Sequence, residues 1–312
     1  MEFLYFLEKI RIVGLNEFML LITKLGEETV FLAIALVLFW CVNKYIGYYV
    51  LSVGFVGTLW NQFLKLWFRI PRPWVIDPNF TILESARKAA AGYSFPSGHT
   101  QSAVGTFGAI AYTARNCWLK AVMICAAILV AFSRMYIGVH TPLDVFTSIA
   151  IALLLIVVLK PVVLENTRLS MPILLGIMLA FALCFLLFVE FYNFPIDIDV
   201  HNRASGYKNA YTLLGALVGL IIVYFVDEKW LNFPTEAVWW AQIVKVVGGL
   251  AIVLAVKSGL SEPLRFLLGE YAGRAVRYCL IVIFAGILWP LTFRLFPKQK
   301  PQKSHSFFER ID

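Results

Sequence analysis

The sequence predicts an all-α, multi-pass membrane protein with about nine transmembrane helices, and three observations predict it. Of 312 residues, 60% are hydrophobic and only 15% are charged. The mean hydropathy of +0.78 is far too high for a soluble domain of this length. Apolar stretches close to the ~20 residues that a bilayer-spanning helix needs recur from end to end. The polar residues with chemical capability gather at the ends of those stretches rather than along them.

Residues 1–26 come first. The run "MEFLYFLEKIRIVGLNEFMLLITKL" has no basic leader and scatters Glu2, Glu8, Lys9, Arg11, Glu17 and Lys24 among large apolar residues. It reads as an amphipathic helix lying in the interface rather than a cleaved signal, with a short tenth span as the other reading. Nine apolar segments follow, at 27–43, 46–66, 98–115, 119–137, 143–160, 170–191, 209–227, 238–257 and 275–296. Three connections are long and polar: 67–96, 193–209 and 258–275. With nine spans in strict alternation, all three share one membrane face.

Residues 27–160 hold the chemically capable side chains and read as a catalytic membrane core. Residues 170–296 hold few and read as an accessory transmembrane bundle. The tail 297–312, with Lys298, Lys300, Lys303 and Arg310, reads as a basic cytoplasmic end by the positive-inside rule. The five cysteines lie in or at the ends of apolar segments without metal-type or CxxC spacing, so no disulfide or metal role is expected. The net charge is +8, but no soluble basic face exists that would bind nucleic acid. Oligomeric state leaves no trace in the pattern.

Three clusters carry the chemistry. Lys65, Arg69, Arg72 and Pro73 follow the second segment; Pro96, Ser97, Gly98 and His99 open the third; Ser133 and Arg134 close the fourth, and His140 and Asp144 open the fifth. Alternation brings them to one membrane face. Lys65 and Arg72, taken alone, are ordinary snorkelling anchors, but their recurrence beside Arg134 suits a phosphate dianion, whose oxygens match the planar guanidinium. Ser97 and Gly98 are a good helix start. The same exposed amides and helix dipole make an anion cradle. His99 and His140, ionisable and at span ends among cations, are functional candidates by default. Asp144 reads equally as the third position of a capping box after Thr141 and Pro142, and as the carboxylate that orients His140 from four residues away. The two readings are compatible.

These clusters resemble the signature of the type 2 phosphatidic acid phosphatase superfamily: K-x6-RP, then PSGH, then SR-x5-H-x3-D. They stand here as Lys65 to Arg72-Pro73, Pro96 to His99, and Ser133-Arg134 to His140 and Asp144. The likeness is close over about 60–145. It implies a catalytic helical core of that family's fold and a membrane lipid phosphatase. It also implies His140 as the nucleophile, Asp144 as its orienting partner and His99 as the acid and then the base. Lys65, Arg72 and Arg134 would clamp the phosphoryl oxygens, with Ser97 and Gly98 completing the cradle. The resemblance places the site on the extracytoplasmic or lumenal face.

No cofactor is expected, and no acidic cluster is present to hold magnesium. The expected partners are a lipid phosphate or diphosphate substrate and the surrounding membrane lipids. A phosphotransferase with the same intermediate and a glucose-6-phosphatase-like sugar phosphatase remain alternatives. Vanadium haloperoxidases share the residue pattern but are soluble, and a transporter would show paired interrupted helices and midplane polar residues, which are missing here. Within the first long connection, "TILESARKAAAG" reads either as a short lid helix or as a solvated linker.

Overall fold

The computed structural model describes residues 1–87, 90, 92–165, 169–195 and 198–297. The basic tail beyond 297, Arg168, and Lys88, Ala89 and Ala91 of the first long connection lie outside the described residues. Among those described, the chain is helical and contains no strand. Two short helices lead, α1 (Glu2–Lys9) and α2 (Val13–Lys24). They are followed by α3 (Glu28–Val37, extended by a π turn to Val42), α4 (Lys44–Phe68) and the single turn α5 (Pro73–Ile76). Next come α6 (Gly98–Thr113), α7 (Cys117–Tyr136), α8 (Pro142–Leu164) and α9 (Ser170–Phe191). The chain finishes with α10 (Val200–Val226), α11 (Trp239–Gly259), α12 (Ser261–Leu268), α13 (Glu270–Ile283) and the short α14 (Trp289–Leu291).

Every one of the nine apolar segments is helical over most of its length, but fewer than nine are both long and apolar enough to cross a membrane. Six qualify: Cys117–Tyr136, Pro142–Leu164, Ser170–Phe191, Val200–Leu231, Trp239–Leu268 and Glu270–Leu295. A seventh arises if the pair Val13–Lys24 and Glu28–Val42, bent by 52°, is one broken span. Of the segments that fall short, α6 is only 16 residues long, and both α4 and α6 have a physical reason to be more polar. They are the centre of the bundle: α6 packs on α4, α7 and α8, and α4 also meets α3, α8, α9 and α10. A helix wrapped by other helices meets protein instead of lipid and can carry Asn61, Gln101, Thr106 and Ser52 at buried positions. The outer helices, facing hydrocarbon, must be apolar all round.

The structure also carries helix further than the polar loops suggested. The connection 193–209 is already α10 from Val200, and 258–275 contains α12 and the first turns of α13. In the first long connection the described residues include two short helical turns, α5 (Pro73–Ile76) and Glu84–Ala86. The N-terminal helices pack on the core rather than standing apart from it. Leu4 and Leu7 are buried with Phe80, Ile82 and Met135. Arg11 donates from Nε to the Tyr136 carbonyl at 3.0 Å and from Nη1 to that of Thr81 at 2.8 Å.

The accessory helices α10 and α13 meet along a glycine seam. A Cβ at Gly215 would lie 2.0 Å from the Ala275 carbonyl oxygen, and one at Gly219 would lie 2.8 Å from that of Cys279. Spaced one turn apart, these glycines let the two backbones touch, the usual device for close helix contact where lipid offers no hydrophobic drive. The seam holds the site-side ends of the pair in register, where Lys208 Nζ reaches Glu270 Oε1 at 2.9 Å. At the opposite end of the bundle, Lys44 Nζ binds the buried Asp227 Oδ2 at 3.0 Å.

Candidate active site

The signature residues come together where α4 ends, α6 and α8 begin, and α7 ends. Local rules place most of them. Ser97 is the N-cap of α6, its Oγ accepting from Thr100 N at 3.4 Å and from Thr100 Oγ1 at 2.9 Å. Gly98 is therefore the first helical residue and His99 the second, with free amide donors facing outward along the helix start. Thr141 caps α8 with Pro142 at the first helical position. The Thr141 amide donates to Asp144 Oδ2 at 2.8 Å, and the Asp144 amide donates to Thr141 Oγ1 at 3.3 Å. The capping box expected from the sequence is present, and the same carboxylate also faces the His140 ring.

Asp144 Oδ2 lies 3.3 Å from His140 Nδ1. On the other side of the ring, Arg72 Nη1 lies 2.9 Å from His140 Nε2. A guanidinium only donates, so Nε2 must carry the lone pair and Nδ1 the hydrogen. The tautomer follows from the two partners. His140 is 1% exposed and Arg134 likewise. Burial, and then the charges of Arg72, Arg134, Lys65 and His99, hold the His140 ring well below the usual imidazole range. The result is a neutral imidazole whose lone pair points at a cation, which is what a nucleophile toward an anionic phosphoryl group requires.

Arg72 is fixed at two further points: Nε donates to the Gly92 carbonyl at 2.9 Å and Nη1 to that of Val139 at 2.9 Å. Lys65 Nζ donates to the Tyr93 carbonyl at 2.5 Å and lies 3.4 Å from that of Ser94. The two cations thus hold between them Gly92–Ser94, a strand of irregular chain and not a β-strand. Arg134 contributes in two ways. Its carbonyl accepts from the His140 amide at 3.3 Å, which closes the turn between α7 and α8. Its Nη1 donates to Thr23 Oγ1 at 2.6 Å, while its buried Nε has no partner among the described residues. That turn needs Gly138, at φ +86°, where a Cβ would also lie 2.8 Å from Arg11 Nη2.

All eight expected residues (Lys65, Arg72, Ser97, Gly98, His99, Arg134, His140 and Asp144) lie at this one end of the core. Their direct links differ. Arg72, His140 and Asp144 form a continuous hydrogen-bonded line. The Ser97 amide donates to the Asp144 carbonyl at 3.2 Å. His99 has no side-chain hydrogen-bond partner among the described residues. Arg69, outside the signature, turns away and caps its own helix, Nη1 donating to the Leu66 carbonyl at 3.0 Å.

Four residues were missed. Ser94 donates to Asp144 Oδ2 at 2.5 Å and is fully buried. It stands two residues before the PSGH run, polar in an aromatic setting, and that was the available signal. Asn61 lies one turn before Lys65 on α4 and donates to the Pro96 carbonyl at 3.3 Å. Ser148 lies one turn after Asp144 and donates to the carbonyls of Ser97 and Asp144, both at 2.9 Å. Both were open to helical spacing. Thr23 carried no signal, because its partner is 111 residues away. Among the described residues no three His, Cys, Asp or Glu side chains gather in a metal-binding group.

Comparison with known proteins agrees with this geometry. Residues 44–168 match the PAP2 superfamily, and residues 211–301 match the PAP2 superfamily phosphatase, transmembrane extension. The chain is similar to the phosphatidylglycerophosphatase B of Bacillus subtilis (strain 168), at 33% identity over 48% of this chain and 76% of that protein. It is similar to the undecaprenyl-diphosphatase BcrC of the same organism, at 32% identity over 33% of this chain and 50% of that one. Similarity to the human sphingosine-1-phosphate phosphatase 2 is 25% identity over 68% of this chain and 53% of the relative. The matched segment thus spans half of BcrC and about half of the human enzyme. No solved structure matches.

Proposed function

Because this chain belongs to the PAP2 superfamily, we propose that it is an integral membrane phosphatase that hydrolyses a lipid phosphate or lipid diphosphate through a phosphohistidine. The observation that carries the reading is the line Arg72–His140–Asp144, with the lone pair on Nε2 and the hydrogen on Nδ1. Nε2 attacks phosphorus, forming a P–N bond as the P–O bond to the leaving group breaks. His99 gives a proton to the leaving oxygen. Water then attacks the phosphohistidine while His99 takes its proton, and inorganic phosphate leaves as the P–N electron pair returns to Nε2. Asp144 stabilises the imidazolium character that develops on transfer. Arg72, Arg134 and Lys65, with the amides at the start of α6, neutralise the equatorial oxygens, which is most of what phosphoryl transfer asks of a protein.

In the resting site Arg72 occupies the approach to Nε2. A phosphate dianion entering there displaces the guanidinium from the ring and takes it as its own ligand. The substrate thereby uncovers the nucleophile it needs, and water does not. We place α3, α4 and α6 across the bilayer along with the six apolar spans, so that the chain crosses nine times. The site then faces the extracytoplasmic side. A lipid presents its phosphate from the bilayer while its tails stay in hydrocarbon.

The test is release of inorganic phosphate by detergent-purified protein from lipid phosphates, lipid diphosphates and sugar phosphates. Long-chain lipids are expected to exceed any soluble monoester by at least tenfold in kcat/KM. A sugar phosphate hydrolysed as well as the best lipid would reverse the assignment. The low proton affinity of His140 sets the acid limb. Protonation removes the lone pair, so kcat/KM should hold on acidification past the ordinary imidazole value of about 6.5 and fall only below it.

Ser94 is a positioning residue here, acting through Asp144. Ser94→Ala removes one of three donors to Oδ2, and kcat should fall about tenfold with KM little changed, in line with one charge-assisted hydrogen bond. A rise in KM alone would assign Ser94 to substrate contact.

A further inference from the structure

The strand Gly92–Ser94 has two sides. One faces Arg72, Asp144 and His140. The other closes a cavity of about 270 Å³ bordered by Lys65, Gln62, Asn202, Lys208, Asn209 and Arg274. A single water needs only ~10–15 Å³ by a comparable measure, so the space admits a polyatomic group. Its lining comes from all three long connections expected on one membrane face: Gly92 and Tyr93 from the first, α10 from the second, α13 from the third.

The lining is polar and cationic, in contrast to the rest of the accessory bundle. Lys208 is paired with Glu270, but Arg274 has no hydrogen-bond or ion-pair partner among the described residues, and Lys65 meets only carbonyl oxygens. Asn209 is held by Gln62, donating from Nδ2 to Oε1 at 2.8 Å. Gly92, at φ +84°, leaves the wall thin, with Asn202 Oδ1 3.7 Å from where a Cβ would stand. Lys65 sits at the seam between this cavity and the signature residues. Its amine reaches the carbonyls of Tyr93 and Ser94, and the Ser94 hydroxyl reaches Asp144.

We propose that this cavity is a second phosphate subsite, in which Arg274, Lys208 and Lys65 take the phosphate adjoining the one transferred, so that the preferred substrate is a lipid diphosphate. The inference rests on the phosphatase reading above. Arg274 and Lys65, neither of them hydrogen-bonded or ion-paired to a carboxylate among the described residues, favour an anion over a hydroxylated head group beside this cavity. The position suits chemistry as well as binding. When the bridging P–O bond breaks, its electron pair leaves on the lipid monophosphate. Charge therefore grows on that phosphate, where cations stabilise it in the transition state.

The experiment uses the full chain in bilayer discs and two substrates with the same tail, one a diphosphate and one a monophosphate. In Arg274→Gln the ratio of their kcat/KM values, diphosphate over monophosphate, should fall about tenfold, the scale of one charge-assisted contact. Lys208→Gln should move it the same way. The ratio does not depend on how much of the variant folds. In parallel, calorimetry should show methylenediphosphonate binding weakened about tenfold by Arg274→Gln, and inorganic phosphate binding weakened less.

An unchanged ratio overturns the proposal. So does an effect that follows the anionic-lipid content of the disc rather than the substrate, which would make the cavity a site for a bilayer lipid. If the wild type released phosphate from no lipid, the phosphatase reading would fail, and the calorimetry would still decide the subsite.

Discussion

His140→Asn is expected to abolish turnover, lowering kcat by at least about 10⁴-fold, the scale seen when a nucleophile is removed from a site that works as a unit. The reason lies in the geometry around one atom. Nε2 of His140 faces Arg72 at 2.9 Å, and Asn offers no equivalent nitrogen. Asparagine is polar enough to remain among Arg72, Asp144 and the Val139 carbonyl, so loss of activity would not be loss of fold, which near-wild-type melting in detergent checks. Rapid quench with radiolabelled lipid phosphate should trap an acid-labile, base-stable phosphoprotein in the wild type and none in the variant. His99→Ala should still become labelled when the leaving group is good enough to depart unprotonated. Substantial turnover by His140→Asn would remove the covalent mechanism.

Asp144→Asn should cost about 10⁴-fold in kcat, the scale found when a carboxylate that fixes a catalytic imidazole is neutralised. The substitution separates the two jobs this residue holds. As a cap, Asn still accepts from the Thr141 amide and its own amide still donates to Thr141 Oγ1, so stability should change by no more than about 1 kcal/mol. As the partner of Nδ1, Asn has lost its charge and no longer stabilises the imidazolium that forms as Nε2 bonds to phosphorus. Slower formation of the phosphoenzyme in rapid quench, with no accumulation, would show the effect on the first step. A variant that melts several degrees lower but turns over at wild-type rate would leave Asp144 as a cap alone.

Much of the candidate site could be read from the sequence because helix ends are written locally. Ser97 before Gly98, and Thr141-Pro142 before Asp144, announce the starts of α6 and α8 through capping rules that act within four residues. The charged and histidine residues stand beside those ends. The spacing of Lys65 to Arg72, and of Arg134 to His140 and Asp144, is similarly local, and Arg72, His140 and Asp144 form one hydrogen-bonded line. The helical segments were equally legible, since the bilayer demands backbone bonds satisfied within each segment.

Other features were decided by contacts between distant parts of the chain. Hydropathy treats each segment as though it faced lipid, yet α4 and α6 face other helices and escape the composition that lipid imposes. Length and apolarity alone therefore find six spans, or seven with the bent pair, where nine segments are helical. Thr23 holds Arg134 only because α2 packs on α7. Ser94 meets Asp144 only because Lys65 and Arg72 hold its strand from both sides. The cavity beneath that strand needs Gly215 and Gly219 to bring α13 against α10, which puts Arg274 within reach of Lys65. Sequence by itself determined which side chains end each helix. The packing of those helices decided which ends share a cavity, because that depends on the shapes of surfaces far apart in the chain.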